Sequence, residues 1–145
     1  MRLTRISRGS HPYFSEDDME AMNRLMGQLS SVPKTLTKQE LHRAVMRGWL
    51  FLIRDEDERI CGMSTLQIVE SLTGRKGLVE DVVVDERHRG KGLGRFLMSG
   101  MISYAKERGI PKIDLTSAPS RAAANALYVA LGFERRQTNV YRLTL

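Results

Sequence analysis

One segment, residues 78–95, limits the possible folds of this chain more than any other. It begins with Leu78–Val84, an apolar run that is typical of a buried strand. Three glycines follow at Gly90, Gly92 and Gly94, and then apolar residues recur at helical spacing. A strand, a glycine-rich turn and a helix in this order leave the first N–H groups of the helix unpaired and open to an anion. The segment therefore predicts a fold of mixed strands and helices with an anion site, suited to a pyrophosphate, at a helix N-terminus.

The spacing of the glycines excludes two common nucleotide-binding loops. The dinucleotide loop of Rossmann folds has glycines at its first, third and sixth positions, which this turn does not. The triphosphate loop ends in Gly-Lys-Ser/Thr, whereas Gly94 is followed by Arg95. Glycines alone are also compatible with a plain loop. The positive side chains of Arg89, Lys91 and Arg95 add fixed charge around the turn, which favours an anionic ligand.

The remaining sequence predicts one domain. A length of 145 residues is enough for a single core, and we find no repeat or linker. Helices are predicted after Ser15, after Thr37, from the end of the glycine turn to Arg108, and from Ser117-Ala118-Pro119. Strands are predicted at residues 2–8, 49–54, 60–69, 78–84, 113–116 and 140–145. Residues 1–145 thus predict an α/β domain, in which a mixed, mostly antiparallel central sheet is flanked by helices.

Composition excludes several classes of protein. An apolar content of 41% is too high for a disordered chain. No apolar run approaches the roughly 18 residues that span a bilayer, so no membrane partner is expected. Residues 1–5 are charged and are not followed by an apolar stretch, which does not fit a secretory signal. Cys61 is the single cysteine, which excludes an internal disulfide and favours a reducing, cytoplasmic location. The three histidines lack metal-ligand spacing, so no metal is expected.

The net charge of +6 indicates an anionic partner but does not identify it. Aromatic residues are only 6% of the chain and are not interleaved with a basic run, so nucleic acid is not expected. A nucleic-acid-binding module stays open as an alternative if basic residues cluster away from the glycine turn.

Two motifs resemble those of a known family. Residues 89–94, Arg-Gly-Lys-Gly-Leu-Gly, match the pattern Gln/Arg-x-x-Gly-x-Gly/Ala of the acetyl-CoA motif in the GNAT N-acetyltransferase superfamily. The preceding strand is similar to the fourth strand of that family. The run from Asn125 through Tyr128 to Gly132-Phe133 resembles the second signature of the family. The resemblance covers the whole chain and implies a GNAT-type acyl-CoA N-acyltransferase fold with a cleft between two splayed central strands.

The resemblance also implies roles for individual residues. Backbone groups of the fourth strand would pair with the pantetheine arm of acetyl-CoA, and amides of the glycine turn would hold its pyrophosphate. Asn125 would contact the cofactor arm, and Tyr128 would act as general acid near the sulfur. The expected cofactor-binding residues are Val82, Val83, Val84, Arg89, Gly90, Lys91, Gly92, Leu93, Gly94, Arg95 and Asn125.

Two adjacent acids, Glu80 and Asp81, lie within the apolar fourth strand. Apolar surroundings raise the pKa of a carboxyl group toward the range of a general base. Solvated acids at a strand edge, or a salt bridge, would explain the pair equally simply. Adjacent strand residues point to opposite faces, so we expect Glu80 to face the site and Asp81 to face away, unless a bulge at Val82 or Val83 reverses them. Many family members carry an acid on the fifth strand, where this chain has Leu115-Thr116, which puts a base there in doubt.

These observations predict acetyl transfer from acetyl-CoA to a primary amine, on a small molecule or a protein. Direct attack in a ternary complex is expected because no Cys or Ser has an activating neighbour. A non-catalytic sensor of acyl-CoA is the alternative. Nothing in the sequence requires self-association, but pairing of the C-terminal strand between two copies leaves a homodimer open.

Overall fold

The chain folds around one five-stranded sheet. A computed structural model describes residues 1–7, 13–29 and 34–145, so the strand end predicted at Arg8 lies outside the described residues. The elements in chain order are β1 (Arg2–Ser7), α1 (Glu16–Leu29), α2 (Lys38–Arg47), β2 (Gly48–Arg54), β3 (Ile60–Ser71), β4 (Gly74–Val84), a 3₁₀ turn (Glu86–His88), α3 (Leu93–Glu107), β5 (Ile113–Leu115) and α4 (Ala122–Ala130). The strand order is β1-β2-β3-β4-β5, antiparallel throughout except for the parallel pair β4–β5. The predicted mixed, mostly antiparallel sheet is confirmed.

Both predicted capping boxes begin helices. The Ser15 hydroxyl accepts a hydrogen bond from the Asp18 N–H at 3.1 Å, and the Asp18 carboxylate accepts one from the Ser15 N–H at 3.3 Å. Thr37 and Glu40 form the same reciprocal pair at the start of α2. Each box satisfies two backbone donors that would otherwise lack a partner at the first turn of its helix.

Helices cover both faces of the sheet. The sheet lies between two apolar clusters, one on each face. The first cluster joins the sheet to α3 and α4, and its buried members include Phe51, Leu66, Val79, Leu97, Met101 and Tyr128. The second cluster joins the opposite face to α1 and α2, and includes Met22, Leu25, Leu41, Leu50, Met63 and Val83. Because side chains alternate along a strand, membership of a cluster shows which face each strand residue occupies.

Two sequence predictions near the C-terminus are wrong. The predicted strand 140–145 is irregular and exposed, and Val140, Tyr141 and Leu143 keep 76%, 86% and 83% of their surface in solvent. Alternating apolar residues make a strand only where a sheet edge supplies backbone partners, and none pairs with this segment in the described structure. The last helix was predicted to begin at Ser117-Ala118-Pro119, but it begins at Ala122. Residues 118–121 form a turn instead, in which the Ala118 carbonyl accepts a hydrogen bond from the Arg121 N–H at 3.0 Å.

Candidate active site

The sheet opens between β4 and β5. The two strands pair only from Gly77 to Val79 on β4 and from Ile113 to Leu115 on β5. Beyond Val79, β4 continues to Val84 with no strand beside it on that edge in the described part of the chain. The predicted cleft between splayed central strands is therefore present. The backbone of Val82–Val84 borders it, which is where the resemblance put the pantetheine arm.

A β-bulge in β4 lies at the point where the strands diverge. Thr65 of β3 pairs with Glu80, and Met63 pairs with Val83. One residue on β3, Ser64, therefore lies opposite two residues on β4, Asp81 and Val82. The extra residue is accommodated at Asp81, whose φ is 57°. Such a left-handed conformation is uncommon outside glycine, although Asp and Asn adopt it more readily than most residues. Asp81 directly precedes Val82 and Val83, the two positions at which the sequence left a bulge open.

The bulge brings both acids to one face of the sheet. Thr65 lies opposite Leu50, on the face covered by α1 and α2. The Thr65 hydroxyl donates to the Asp81 carboxylate at 3.2 Å, so Asp81 lies on this face too. Glu80 shares the face because its neighbour Val79 packs under α3 on the other side. The expectation that Asp81 faces away from Glu80 is wrong, because the extra residue reverses the alternation after Glu80.

Glu80 is in an environment that favours its protonated form. Burial raises the pKa of its carboxyl above the ordinary value of 4.5, the negative charge of Asp81 raises it further, and Arg142 partly offsets both. Desolvation and a neighbouring like charge both disfavour ionisation. A carboxyl group shifted in this direction is closer to the pKa that suits a general base near neutral pH.

The glycine turn leads into an uncapped helix. Gly90 and Gly92 have φ of 76° and 77°, which fold the chain back toward α3. Gly92 is the N-cap of α3, and no side chain hydrogen-bonds to the first turn of this helix. The first N–H groups of α3, from Leu93 onward, are thus open to an anion, as the sequence predicts. Gly94 has another role, because a Cβ there would lie 3.1 Å from the side chain of Leu127 and hold α3 away from α4.

Asp85, fully buried between β4 and the turn, fixes the path of this loop. Its carboxylate accepts hydrogen bonds from Arg24 Nε at 3.1 Å and from the backbone N–H of Arg87 at 3.0 Å. The Arg87 guanidinium donates two more, both at 3.2 Å. Burial alone would raise the pKa of Asp85, but the bonds from Arg87 and Arg24 outweigh burial and hold this pKa far below its ordinary value. Asp85, ionised at neutral pH, therefore ties α1 to the loop that precedes the glycine turn.

The arginine of the glycine motif braces the same loop. Arg89 Nε donates to the Val84 carbonyl at 3.1 Å, and Arg89 Nη2 donates to the Gln28 side chain at 3.2 Å. Gln28 also accepts from the Glu86 N–H at 2.8 Å. In contrast, Lys91 and Arg95 are exposed and have no ion-pair partner among the described residues. These two side chains are the ones free to neutralise an anion at the turn.

The second motif lies on α4, whose apolar side chains join the cluster beneath α3. Tyr128 is 8% exposed and packs edge-on against Phe133, with ring centroids 5.9 Å apart. Burial raises the pKa of its phenol, and the positive charge of Arg121 lowers it in part. Asn125 donates its side-chain amide to the Ala118 carbonyl at 2.9 Å, which braces the start of the helix. Tyr128 thus belongs to the α3–α4 face, while Glu80 and Asp81 belong to the α1–α2 face.

Comparison with known proteins identifies the fold. The acetyltransferase (GNAT) family model matches residues 12–133, which include the β4 bulge, the glycine turn and Tyr128. The chain belongs to the GNAT family. A mycothiol acetyltransferase of Amycolatopsis mediterranei is 32% identical over 114 residues, 72% of this chain and 38% of the relative. A glucosamine 6-phosphate N-acetyltransferase of Trypanosoma brucei brucei is 29% identical over 130 residues, 84% of this chain and 86% of the relative. The crystal structure of a Trypanosoma brucei acetyltransferase superposes with a TM-score of 0.73 at 28% identity, covering 99% of this chain and 100% of that chain.

This GNAT chain spans about two fifths of the mycothiol relative and most of the glucosamine 6-phosphate relative. The described helices are too short or too polar to cross a membrane. Within the same residues, His, Cys, Asp and Glu side chains do not gather in any group of three that could hold a metal ion.

Several residues that shape the GNAT site escape sequence reasoning. Two of them, Thr65 and Ser64, lie on β3 opposite the bulge. Thr65 donates a hydrogen bond to Asp81, and the buried Ser64 hydroxyl has no partner in the described structure. Their roles depend on the register of β3 against β4, which no local pattern encodes. Asp85 had a local signal, because an Asp that directly follows a strand is a frequent cap of the next turn. Gln28 had none, since it lies on α1, far from the loop in sequence.

Proposed function

We propose that this chain transfers the acetyl group of acetyl-CoA to a primary amine by direct attack in a ternary complex. The observation that carries the proposal is the opening of the sheet where β4 leaves β5. Glu80 lies on one face of the sheet near this opening, and Tyr128 belongs to the apolar cluster on the other face. Two substrates can enter such a gap from opposite sides and meet at its centre.

The residues around the turn fit acetyl-CoA. A Cβ placed on Gly90 or Gly92 would meet no atom within 4 Å, so the turn is an open cradle. The uncapped α3 N-terminus, with Lys91 and Arg95 beside it, favours a pyrophosphate. Acetyl-CoA would supply a thioester, the activated acyl group that this chemistry needs. The free backbone edge of Val82–Val84 would hold its pantetheine arm in the manner of an added strand.

Glu80 is the residue proposed to take the proton of the attacking amine, directly or through a water molecule. An amine attacks only after its ammonium form has lost a proton, and the raised pKa of Glu80 suits that transfer. Asp81 lies on the same face and keeps this pKa high through its charge. Its own carboxylate is held by Thr65, so we assign Asp81 the supporting role.

Tyr128 is the residue proposed to protonate the leaving thiolate. Its raised pKa keeps the phenol protonated at neutral pH, as a general acid requires. The hydroxyl has no hydrogen-bond partner among the described residues, so it is available to a ligand.

Direct attack is favoured over a covalent enzyme intermediate. The only thiol, Cys61, is 1% exposed, and burial together with the charges of Asp55 and Asp85 raises its pKa. A buried thiol with a raised pKa is a poor nucleophile. One relative is named for glucosamine 6-phosphate, an amino sugar, which makes an amino sugar a sensible first acceptor to test.

Coenzyme A release across a panel of primary amines tests the activity. Tyr128→Phe keeps the ring and its packing, so acetyl-CoA affinity should be unchanged while turnover falls about 10²–10⁴-fold. Tyr141→Phe, at a tyrosine that is 86% exposed, is the matched control and should leave turnover unchanged. Binding of acetyl-CoA without release of coenzyme A for any amine would instead identify a sensor. Full activity of Tyr128→Phe would reject the general-acid role.

The base is tested by the pH dependence of turnover with an amine acceptor of high pKa. Glu80→Gln preserves shape and removes the ionisable group, so it should lower turnover and abolish the acidic limb of the profile. Glu56→Gln, at an exposed residue of the β2–β3 turn, is the matched control. A wild-type acidic limb in Glu80→Gln would show that the proton leaves by another route.

A further inference from the structure

A second concave site lies at the other end of the sheet. The groove has a volume of about 430 Å³, and we call it the arginine groove. It is lined by Arg47, Trp49, Ile68, Glu70 and Arg75, together with their neighbours. It lies where β2 begins and the β3–β4 hairpin turns, whereas the glycine turn follows the opposite end of β4. Arg75 and Val84 are nine positions apart on β4, about 30 Å along an extended strand, so the groove is distinct from the proposed acetyl-CoA site.

The floor of the groove is apolar and aromatic. Trp49 and Ile68 both pack against the cluster beneath α3, and each keeps part of its surface in solvent. The Trp49 ring meets the Tyr104 ring edge-on, with centroids 5.2 Å apart, which fixes the indole in place. A rigid, partly exposed aromatic surface of this kind accepts the planar or apolar body of a small ligand.

The walls of the groove are positively charged. Arg47 has no acidic partner among the described residues, and Arg75 is paired with Glu70 at 3.4 Å. Beyond Trp49, the guanidinium carbons of Arg5 and Arg108 lie 3.8 and 5.2 Å from the centroid of the Tyr104 ring. Neither of these two forms an ion pair in the part of the chain that the structure describes. The lining of the groove thus holds two arginines and one glutamate, and two more arginines lie nearby, which favours an anionic ligand.

We infer that the arginine groove binds a small organic oxyanion, a phosphate or a carboxylate attached to an aromatic or apolar body. The body would lie on Trp49 and Ile68, and the oxyanion would face Arg47, with Arg75 beside it. Guanidinium groups match the geometry of both oxyanions and bind them through paired hydrogen bonds. The volume is in the range typical of small-molecule sites, which favours a compact ligand over a nucleic acid.

The single tryptophan of the chain makes this inference directly testable. Because Trp49 is the only tryptophan and lines the groove, its fluorescence reports occupancy without a label. The full chain is titrated with phenyl phosphate, with inorganic phosphate as the probe lacking a body and with phenol as the probe lacking a charge. We expect saturation with phenyl phosphate, at least tenfold weaker binding of inorganic phosphate, and no saturation by phenol over the same range.

Variants assign the signal to the groove. Arg47→Gln should weaken phenyl phosphate binding by about tenfold or more, since it removes the unpaired charge. Arg43→Gln, one turn earlier on α2 and outside the groove lining, is the matched control and should bind like wild type. Both side chains are exposed, so both variants should fold, and circular dichroism checks this. Absence of saturation, equal affinities of the two variants, or binding of a DNA duplex in place of phenyl phosphate would each overturn the inference.

Discussion

Replacing Asp85 by Asn tests whether one buried carboxylate holds the loop before the glycine turn. Each carboxylate oxygen accepts two of the four hydrogen bonds: Oδ1 accepts from the Arg87 N–H and Nε, and Oδ2 accepts from Arg24 Nε and Arg87 Nη2. An asparagine keeps one acceptor oxygen and turns an amide group toward the other two donors. Two hydrogen bonds are therefore lost while the volume of the side chain is preserved.

The loss can be estimated from the exposure of the partners. A hydrogen bond to a charged group contributes about 1.5–3 kcal/mol. The side chains of Arg24 and Arg87 are 41% and 65% exposed, so water satisfies part of what they lose. We expect Asp85→Asn to cost roughly 2–3 kcal/mol of the free energy of unfolding, which lowers Tm by roughly 4–12 °C for a chain of this length. Acetyl-CoA affinity should fall as well, because the loop leads directly into the glycine turn.

The pH dependence supplies the sharper test. The pKa of Asp85 is lowered in the folded state, so its stabilisation is complete above its ordinary value of 3.8 and is lost as pH falls toward the lowered pKa. The difference in Tm between wild type and Asp85→Asn should therefore be largest at neutral pH and shrink below about pH 4. The matched control is Asp57→Asn, whose carboxylate is 75% exposed and 3.9 Å from Arg59, and it should cost less than about 0.5 kcal/mol. A loss as small as that of the control, or one that does not change with pH, would refute the anchoring role.

Three further changes probe the cleft. Gly92→Val forces a branched side chain into a φ of 77° and should weaken acetyl-CoA binding in a calorimetric titration. Gly27→Val, in open space on α1, should leave this binding unchanged. Equal affinities of the two variants would contradict the phosphate site. Lys91→Ala should weaken the same binding in a way that disappears at high salt, but the loss in Arg89→Ala should persist at high salt because Arg89 also braces Val84 and Gln28. Glu80→Gln should raise Tm at pH 7, because the raised pKa of Glu80 means that its ionisation destabilises the fold. This gain in Tm should vanish below about pH 4, where Glu80 is protonated in both the folded and the unfolded state. A gain that persisted there would have another cause.

The fold was largely predictable because its signals are local. The capping boxes at Ser15 and Thr37, and the glycines at the start of α3, each specify a backbone conformation within a few residues. The alternation of Val140 to Leu145 is local in the same way, but a strand also needs a neighbour, and the sequence does not show whether one is available. The prediction of this strand failed because its pairing partner would have had to come from elsewhere in the chain.

The candidate site was likewise predictable only where its signals are local in sequence. The glycine turn and Tyr128 were found from motifs, but the common orientation of Glu80 and Asp81 was not, because it depends on where β4 gains a residue against β3. Sequence alternation predicts opposite faces for neighbouring residues wherever pairing is regular. The bulge at Asp81 breaks that rule, and its position is set by the pairing of Thr65 and Met63 across the sheet.

The left-handed conformation of Asp81 restricts which mutations this position can accept. Glycine and asparagine adopt a φ of 57° readily, whereas a β-branched residue there is strained. Asn would keep the bend and remove the charge beside Glu80, whereas Glu would keep the charge and strain the bend. A library of all substitutions at position 81, selected only for folding, should therefore retain Gly and Asn. Selection of the same library for turnover should return Asp alone, because no other amino acid combines an easy left-handed turn with a negative charge.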